Sequence, residues 1–399
     1  MTKVLIIIRA LAHGGAEKSL VSFLNTMNEN YCRKNNIEIN LLLTQRGQFF
    51  ECQVPDYVKI LDCPSDYAAY CNPLRSLIDE KQISLSNYAR KVYSAIIKKT
   101  LGKKNSLSLG ELQWKYVGRT LREFPEEYDV AMAYFHDASA YYLIDKVKAK
   151  KKIIWIHNEY EKLGYTDDFE REYYSRADKI VTISDRCVSS FVKHFPELHD
   201  KVEMIENISS RALINKMAGN RMPEEFMADT VNILSVGRLC DQKGYDIGIG
   251  AFHKMKDVDA SYHWYIMGTG EKEKELTELI NQYGLQNRIS LIGLRTNPYP
   301  YIKNCDIFFQ PSRYEGKSIA LDEAMILERP IVVTAYDTAT DSITNGLNGR
   351  ICGMSSEEVA EGLAELIVDV QLREKYTTQL HIENHGNESE IEKYYELMG

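Results

Sequence analysis

The chain has 399 residues, of which 44% are hydrophobic and 27% charged, and its formal net charge is −8. This composition excludes collagen-like, low-complexity and disordered classes, and the acidic balance argues against general nucleic-acid binding. At about 100–200 residues per domain, the length favours two domains.

The sequence contains no stretch with the length of a membrane-spanning helix or the layout of a signal peptide. The first apolar run, residues 4–8, is far shorter than the about 20 residues that span a bilayer. The eight cysteines include no C-x-x-C pair, which favours reduced thiols packed as small hydrophobes over a zinc site. We therefore expect a cytoplasmic protein.

Short aliphatic runs alternate with helical stretches through the first half of the chain. Residues 4–8 form a continuous, mostly β-branched run, as in a parallel strand that is covered on both faces. The next stretch has apolar residues at helical spacing. Such β/α alternation predicts a parallel sheet. Further strands are predicted at residues 37–45, 128–135, 151–158, 178–185 and 201–207.

The alternation stops at a polar stretch, residues 211–229, which contains Gly219 and Pro223 and has no strand signal. We predict that this stretch is a linker. The alternation then restarts, which predicts an α/β fold with two doubly wound domains and ligand sites at the carboxyl ends of the strands, in a cleft between the domains. Strands of the second domain are predicted at residues 231–239, 262–270, 288–293, 305–312, 330–335 and 349–352.

A glycine pair, Gly14-Gly15, stands between the first predicted strand and the following helix. Glycines let a ligand approach the backbone, and the amino end of a helix offers free N–H groups and positive potential, which suits a phosphate. A tight structural turn is the alternative. The G-x-G-x-x-G fingerprint and its acidic partner are absent, so an NAD-dependent oxidoreductase is disfavoured.

Two cations, Arg238 and Lys243, fall in the loop after the first strand of the second domain. Together they could neutralise a diphosphate, including the charge that it gains on leaving. The alternative is a pair of surface cations with little energetic role. After the next strand, Gly268 and Gly270 either cradle a nucleotide or simply turn the chain.

Two histidines follow predicted strands of the first domain, His136 and His157. At the carboxyl end of a strand in a doubly wound sheet, such a side chain points towards the ligand crevice. The alternative is a histidine of the core or of the surface.

The most informative segment is RYEGKSIALDEAM, residues 313–325. Glu315 lies in a loop, Ser318 is a good helix cap, and Glu323 follows within the predicted helix among apolar neighbours. A buried carboxylate is costly unless it gains partners. Sugar hydroxyls would supply them, and a buried ion pair is the alternative. The rise from Ser318 to Glu323 is about 7.5 Å, comparable to the span from a diphosphate to a ribose.

Positive charge is concentrated between residues 90 and 120, where Glu111 is the single acid. Apolar and aromatic residues are interleaved with the cations, and such a basic amphipathic stretch can rest on an anionic membrane surface. The alternative is a solvated helix face. The cations are Arg90, Lys91, Lys98, Lys99, Lys103, Lys104, Lys115 and Arg119.

In order and spacing these motifs resemble the retaining GT-B glycosyltransferases of family four, the glycosyl transferases group 1, which include bacterial enzymes of surface-polysaccharide synthesis. Glu315 and Glu323 match the E-x7-E motif of that family, and GRLCDQKG, GTG, PIVVT and NGLNGRI accompany it. The resemblance covers nearly the whole chain. It implies a GT-B fold with a Rossmann-like acceptor domain at 1–210, a linker at 211–229, a Rossmann-like donor domain at 230–385, and a final helix within 386–399 that returns to the first domain.

The resemblance also implies site roles. Arg238 and Lys243 would bind the donor diphosphate and stabilise the leaving charge without a metal, while Glu323 would bind the ribose. Glu315 would hold the donor sugar, and His157 would approach the sugar that is transferred. The other residues that would contact the donor are Gly14, Gly15, Gly268, Gly270, Leu294, Arg295, Gly316, Lys317, Ser318 and Ile319.

The implied reaction moves a sugar from a UDP- or GDP-linked donor to a glycan acceptor, with retained configuration and no cofactor. The basic segment motivates a lipid-linked acceptor and a peripheral position at the inner face of the cell membrane, in capsule, O-antigen or exopolysaccharide synthesis. A soluble transferase that makes a small glycoside, or an inactive nucleotide-sugar-binding subunit, would be an alternative. The intact Arg238, Lys243, Glu315 and Glu323 speak against the inactive subunit.

Two positions depart from the family pattern. Lys317 stands where the family often has an aromatic or apolar residue, and Asp322 where it often has an aliphatic one. Lys317 could therefore meet an acidic donor sugar or an anionic acceptor.

Overall fold

The computed structural model describes residues 1–12, 14–27, 29–73, 84–101 and 106–399. The described chain divides into two compact units. The first unit consists of Met1–Ile208 and Ser389–Gly399, and the second unit is Ser209–Glu388. Lys103 and Lys104 of the predicted basic segment lie outside the described residues.

A parallel sheet forms the centre of the first unit. Its strands are β1 (Thr2–Ile8), β2 (Ile37–Leu43), β3 (Lys59–Leu61), β4 (Glu127–Ala133), β5 (Lys148–Ile156), β6 (Lys179–Thr182) and β7 (Val202–Met204). They are arranged in the order β3-β2-β1-β4-β5-β6-β7, and every adjacent pair is parallel. The helices that accompany them are α1 (Gly15–Thr26), α2 (Glu29–Lys34), α3 (Ser65–Cys71), α4 (Leu85–Thr100), α5 (Leu109–Tyr116), α6 (Ala138–Lys146), α7 (Asp167–Tyr174) and α8 (Asp185–His194).

The aliphatic run of β1 explains why this strand lies at the centre. Val4 and Ile6 belong to the apolar core on one face of the sheet, and Leu5 and Ile7 belong to the core on the other face. All four side chains are fully buried. A strand that is covered on both faces cannot alternate apolar and polar residues, and the continuous run follows from this burial.

The second unit is also built on a parallel sheet. Its strands are β8 (Val231–Val236), β9 (Tyr262–Met267), β10 (Ile289–Gly293), β11 (Ile307–Gln310), β12 (Ile331–Thr334) and β13 (Arg350–Cys352), in the order β10-β9-β8-β11-β12-β13. The chain reverses its direction of travel across the sheet between β10 and β11, which places β11 beside β8. The helices are α9 (Arg211–Ala218), α10 (Tyr245–Lys254), α11 (Glu273–Gln282), α12 (Tyr299–Asn304), α13 (Ile319–Ile326), α14 (Ser356–Val368) and α15 (Val370–Glu383).

Residues 211–229, which were predicted to form a linker, belong to the second unit in the structure. Their first eight residues form α9. Ser210 caps this helix by accepting a hydrogen bond from the Leu213 backbone N–H at 3.2 Å. Ile214 and Ala218 are buried in the apolar core of the second unit. A helix that buries only these two side chains has too weak a periodicity to be recognised in the sequence.

The last helix, α16 (Ile391–Met398), belongs to the first unit. Tyr394 stacks on Phe23, with ring centroids 4.3 Å apart, and on Trp155, with centroids 5.0 Å apart. Tyr395 stacks on Tyr31 at 3.6 Å. These aromatic contacts fix the end of the chain against the first unit.

One carboxyl group of the first unit is buried without a cation beside it. Glu170, on α7, is fully buried and accepts a hydrogen bond from the Tyr141 hydroxyl. Burial raises the pKa of Glu170 to about 8, although hydrogen bonds from Tyr141 and Tyr174 oppose the rise. The folded protein therefore holds this carboxyl group protonated at neutral pH.

Replacing Glu170 with glutamine should reduce the pH dependence of stability. The unfolded chain loses the Glu170 proton near the usual pKa of a carboxyl group, whereas the folded chain keeps it to about pH 8. The unfolded state thus binds fewer protons in this window, so the unfolding free energy falls by up to about 1.4 kcal/mol per pH unit as pH rises. Urea unfolding between pH 5 and 8 measures this slope, which should be shallower in Glu170→Gln.

The matched control for this experiment is Glu172→Gln on the same helix. The Glu172 side chain is 49% exposed and pairs with Arg119 at the surface. Its replacement should leave the slope nearly as in the wild type. Equal slopes in the wild type and Glu170→Gln would contradict a raised pKa.

Candidate active site

In the second unit, the predicted site residues lie in loops at the carboxyl ends of neighbouring strands. The loop after β8 carries Arg238, which is exposed, and Lys243, which is largely buried. The loop after β11 carries Glu315 and leads into α13. Because β8 and β11 are adjacent and parallel, these two loops emerge at the same edge of the sheet.

The Glu315 carboxylate joins the two loops. Its Oε1 accepts hydrogen bonds from Lys243 Nζ and from Ser312 Oγ, each at 2.6 Å, and its Oε2 accepts one from Gln242 Nε2 at 3.2 Å. The side chains of Lys243 and Glu315 are only 17% and 6% exposed. The sequence predicted both residues but not their contact. Gln242 and Ser312 were not predicted, although both lie in the loops that the motifs mark.

Close backbone packing within the protein requires glycine at positions 268 and 270. Gly268 has a φ angle of 151°, and a Cβ there would lie 1.9 Å from the Gly237 carbonyl oxygen. A Cβ on Gly270 would lie 2.3 Å from the Leu239 carbonyl oxygen. Both glycines therefore allow the loop after β9 to pack directly against the loop that carries Arg238, and their contact with a donor stays a prediction.

The amino end of α13 is open to a ligand. Ser318 caps the helix by accepting a hydrogen bond from the Leu321 N–H at 3.4 Å, and its hydroxyl donates to Gln310 Oε1 at 2.7 Å. Gly316 is exposed, and a Cβ built on it would meet no atom within 4 Å. No neighbour in the described chain requires a glycine here, so the open space suits a ligand that approaches the backbone and the helix N–H groups. Lys317 is exposed in this entry loop, and Ile319, half-buried, begins the helix.

Glu323 lies one turn further into α13 and is 1% exposed. Its Oε1 accepts a hydrogen bond from the Tyr299 hydroxyl, on α12, at 3.0 Å. Burial and the adjacent carboxylate raise the pKa of Tyr299 well above its usual range, so the phenol remains a donor. The sequence predicted a buried carboxylate here but not the tyrosine that binds it.

The loop after β10 holds Leu294 and Arg295. Leu294 is 36% exposed. Arg295 donates to Glu225 Oε1 at 2.8 Å and to the Tyr301 hydroxyl at 3.2 Å. The structure thus gives Arg295 partners inside the protein, and its predicted contact with a donor would have to compete with them.

The predicted residues of the first unit lie at the carboxyl ends of β1 and β5. Gly14 precedes α1 in extended backbone, where a Cβ would meet Glu17 Oε2 at 2.2 Å, and Gly15 is exposed. His157 follows β5 and is buried, with Nε2 3.0 Å from the Tyr134 carbonyl oxygen. Burial and the neighbouring His136 lower the pKa of His157 to about 3, so the imidazole is neutral at physiological pH.

Within the described residues, no group of three or more His, Cys, Asp or Glu side chains is arranged to hold a metal ion. Besides the Glu315 and Glu323 carboxylates, the candidate site contains cations, hydrogen-bond donors and one helix amino end. These groups can bind and stabilise an anion such as a diphosphate.

The sequence of residues 220–380 matches the family model of the glycosyl transferases group 1. These residues make up most of the second unit and contain Arg238, Lys243, Glu315 and Glu323.

Two curated relatives illustrate the similarity. The chain is 28% identical over 205 residues to the N-acetylgalactosamine-N,N'-diacetylbacillosaminyl-diphospho-undecaprenol 4-alpha-N-acetylgalactosaminyltransferase of Campylobacter jejuni, covering 51% of this chain and 54% of the relative. It is 27% identical over 180 residues to a putative colanic acid biosynthesis glycosyltransferase, WcaL, of Escherichia coli, covering 43% of each. The chain thus spans about half the length of the curated relatives it matches.

A solved structure extends the similarity in fold to the whole chain. HepE of Anabaena, in complex with UDP and glucose, superposes with a TM-score of 0.65 at 17% sequence identity and covers 99% of this chain and 98% of its own. The two parallel sheets flanked by helices are those of the GT-B fold, as predicted from the sequence. The chain therefore has the GT-B fold, and most of its second unit is similar in sequence to the glycosyl transferases group 1.

Proposed function

We propose that this protein is a retaining, metal-independent glycosyltransferase that moves a sugar from a UDP- or GDP-linked donor to a lipid-linked glycan acceptor in surface-polysaccharide synthesis. The observation that carries the proposal is the joining of the Arg238 and Lys243 loop to the Glu315 loop at one edge of the second sheet. This edge presents an exposed guanidinium, an ammonium group and the amino end of α13.

In this reaction the largest change of charge occurs on the leaving diphosphate, so the groups that contact it matter most for the rate. The bond between the sugar C1 and the diphosphate oxygen breaks, a bond from C1 to the acceptor oxygen forms on the same face, and a donor phosphate oxygen takes the acceptor proton. Arg238, Lys243 and the helix amino end would stabilise the negative charge that develops. Glu315 fixes the position of Lys243 through the 2.6 Å contact, so this stabilisation is preorganised.

The relatives support the class of substrate. The name of the Campylobacter enzyme specifies a diphospho-undecaprenol acceptor, the name of the Escherichia coli protein places it in colanic acid biosynthesis, and the Anabaena structure contains UDP and glucose. By analogy, we propose that this chain uses a nucleotide-linked sugar and an acceptor carried on a lipid.

Helix α4 supports the lipid-linked acceptor independently. Tyr88, Val92 and Ile96 lie on one face of this helix and are 49%, 43% and 52% exposed. Lys98 and Lys99 in its last turn are also exposed. An apolar face that is turned to solvent and bordered by cations fits an anionic membrane surface.

Among the helices that the structure describes, none is both long and apolar enough to cross a bilayer. We propose that α4 rests on the inner face of the cell membrane, with its apolar side chains at the boundary between headgroups and acyl chains and its lysines at the headgroups.

Replacing Arg238 with alanine should abolish most of the activity. Removal of one group that stabilises transition-state charge costs about 10²–10³ in rate. Donor hydrolysis or transfer should be measured across a panel of UDP- and GDP-sugars, and kcat should fall by about that factor. The control is Arg221→Ala, because Arg221 is exposed on the same unit and pairs only with Glu224 at the surface.

Two outcomes would contradict the proposal. Turnover by Arg238→Ala close to that of the wild type would remove the proposed role of this cation. A wild-type protein that binds UDP but turns over no donor would favour the inactive nucleotide-sugar-binding subunit.

Turnover should persist when divalent metal ions are removed. We assign the leaving charge to Arg238, Lys243 and the helix amino end, so chelation with EDTA should change kcat little. Loss of turnover in EDTA with full recovery on adding Mg²⁺ or Mn²⁺ would contradict a metal-independent mechanism.

Replacing Val92 and Ile96 with serine should weaken membrane binding. Each apolar side chain transferred from water contributes about 1.5–3 kcal/mol, so partitioning onto phosphatidylglycerol vesicles should fall by about tenfold or more. The matched control replaces Val368 and Val370, which are 59% and 53% exposed on the second unit. Equal vesicle binding by both double variants would contradict docking through α4.

A further inference from the structure

The first unit contains a cavity of about 190 Å³ at the carboxyl edge of its sheet. Arg9, which follows β1, and Asp137, which precedes α6, line it together with Gln113. Because β1 and β4 are adjacent parallel strands, this is the edge where a doubly wound sheet binds ligands. No residue of the donor site described above lines the cavity.

The charged groups of the cavity lack partners of opposite sign. Arg9 is exposed and forms no ion pair with any carboxylate among the described residues. Asp137 Oδ1 accepts a hydrogen bond from the Ser139 backbone N–H at 2.8 Å but pairs with no cation in the described chain. Arg9 can therefore bind an anion, and Asp137 can accept hydrogen bonds from hydroxyls.

A second cation, Lys91, lies close to the cavity, beside the lining residue Tyr70. Lys91, on α4, donates from Nζ to the Tyr70 carbonyl oxygen at 3.1 Å. Burial lowers the pKa of Lys91, and the nearby Arg9 guanidinium adds a smaller contribution in the same direction. An anion bound at Arg9 would offset the like charges of the two cations.

Three aromatic rings form part of the cavity wall. Tyr70, Tyr141 and Tyr165 line it. Tyr70 packs edge-on against Trp114 with centroids 5.5 Å apart, and the Tyr141 hydroxyl donates to the buried Glu170. The walls are thus held in place by their own contacts, and they offer apolar faces with polar rims, as a pyranose ring requires.

We propose that this cavity binds one sugar ring of the acceptor, and that the ring carries an anionic substituent, a phosphate or a carboxylate. Arg9 binds the anionic group, Asp137 and Gln113 bind hydroxyls, and the tyrosines contact the ring. The volume is below the about 300–1,000 Å³ of pockets for drug-sized ligands, which suits a single ring. This inference rests on the proposed transferase function and names the class of its acceptor.

Three probes test the proposal by ligand-observed NMR or calorimetry with the full chain saturated with the nucleotide, UDP or GDP, of the donor that it turns over: methyl α-glucoside, glucuronic acid and glucose 1-phosphate. The wild type should bind one or both charged probes roughly tenfold more tightly than the neutral glucoside, because a charge-assisted hydrogen bond contributes about 1.5–3 kcal/mol. Glucuronic acid tests a carboxylate, and glucose 1-phosphate tests a phosphate. Saturation with that nucleotide keeps the probes from the donor site.

Two variants assign any binding to the cavity. Arg9→Gln should abolish the preference for the charged probes, and Asp137→Asn, which can still cap α6, should weaken all three. The control is Arg46→Gln, because Arg46 is an exposed cation of the same unit that pairs with Glu51. This control should keep the preference.

The failure of this inference differs from the failure of the proposed function. Donor turnover by the wild type with no binding of any probe, or with equal binding by wild type and Arg9→Gln, would overturn the inference alone. A preference that Arg46→Gln also loses would overturn it too. Absence of donor turnover with every donor would overturn the proposed function and the acceptor role of the cavity with it.

Discussion

The contact between Lys243 Nζ and Glu315 Oε1, at 2.6 Å, holds the candidate donor site together. It connects the loop after β8 to the loop after β11, and it lies where both side chains are largely buried. A buried ion pair must offset the cost of removing two charges from water, which it can do only with further hydrogen bonds. Ser312 and Gln242 supply them. Arg238 lies in the same loop as Lys243, and the amino end of α13 follows Glu315, so both lie in or beside the joined loops.

The rest of the site is built around that contact by close backbone packing. Gly244 has a φ angle of 60°, and a Cβ there would lie 2.1 Å from the Pro311 carbonyl oxygen, so the two loops touch along their backbones. Gln310, at the end of β11, accepts from Ser318 at 2.7 Å and donates to Tyr336 at 3.0 Å. Such a network leaves little freedom to the groups that would face a diphosphate, and electrostatic catalysis needs this preorganisation.

The sequence predicts those parts of the protein that leave a recognisable pattern within a short stretch of residues. Strands such as β1 were predicted because burial on both faces demands a continuous aliphatic run. Strand β3 (Lys59–Leu61) was missed, whereas β7 and β13, which are equally short, were predicted, so a run of three residues is not a dependable signal. Lys243 and Glu315 were both predicted, but their contact was not, because it joins residues 72 positions apart. The predicted Rossmann-like order already places β8 beside β11, but strand order does not specify which side chains of the two loops meet. The partner of Arg295, Glu225, was missed for the same reason.

Helix α4 takes part in both proposals for the first unit, membrane docking and the binding of an acceptor sugar in the cavity. One side of this helix carries Lys91, whose Nζ binds the carbonyl oxygen of the cavity residue Tyr70. Val92 and Ile96, which lie about 100° and 140° round the helix from Lys91, are exposed. A helix with its side chains is about 10–12 Å across, so a membrane that contacts Val92 and Ile96 would lie within about one helix diameter of the Lys91 side of α4. A sugar joined to a lipid through a phosphate group could therefore occupy the cavity while the lipid stays in the bilayer. On both proposals, Lys91 and Arg9 are the cations that a phosphate linking the sugar to the lipid would meet beside α4.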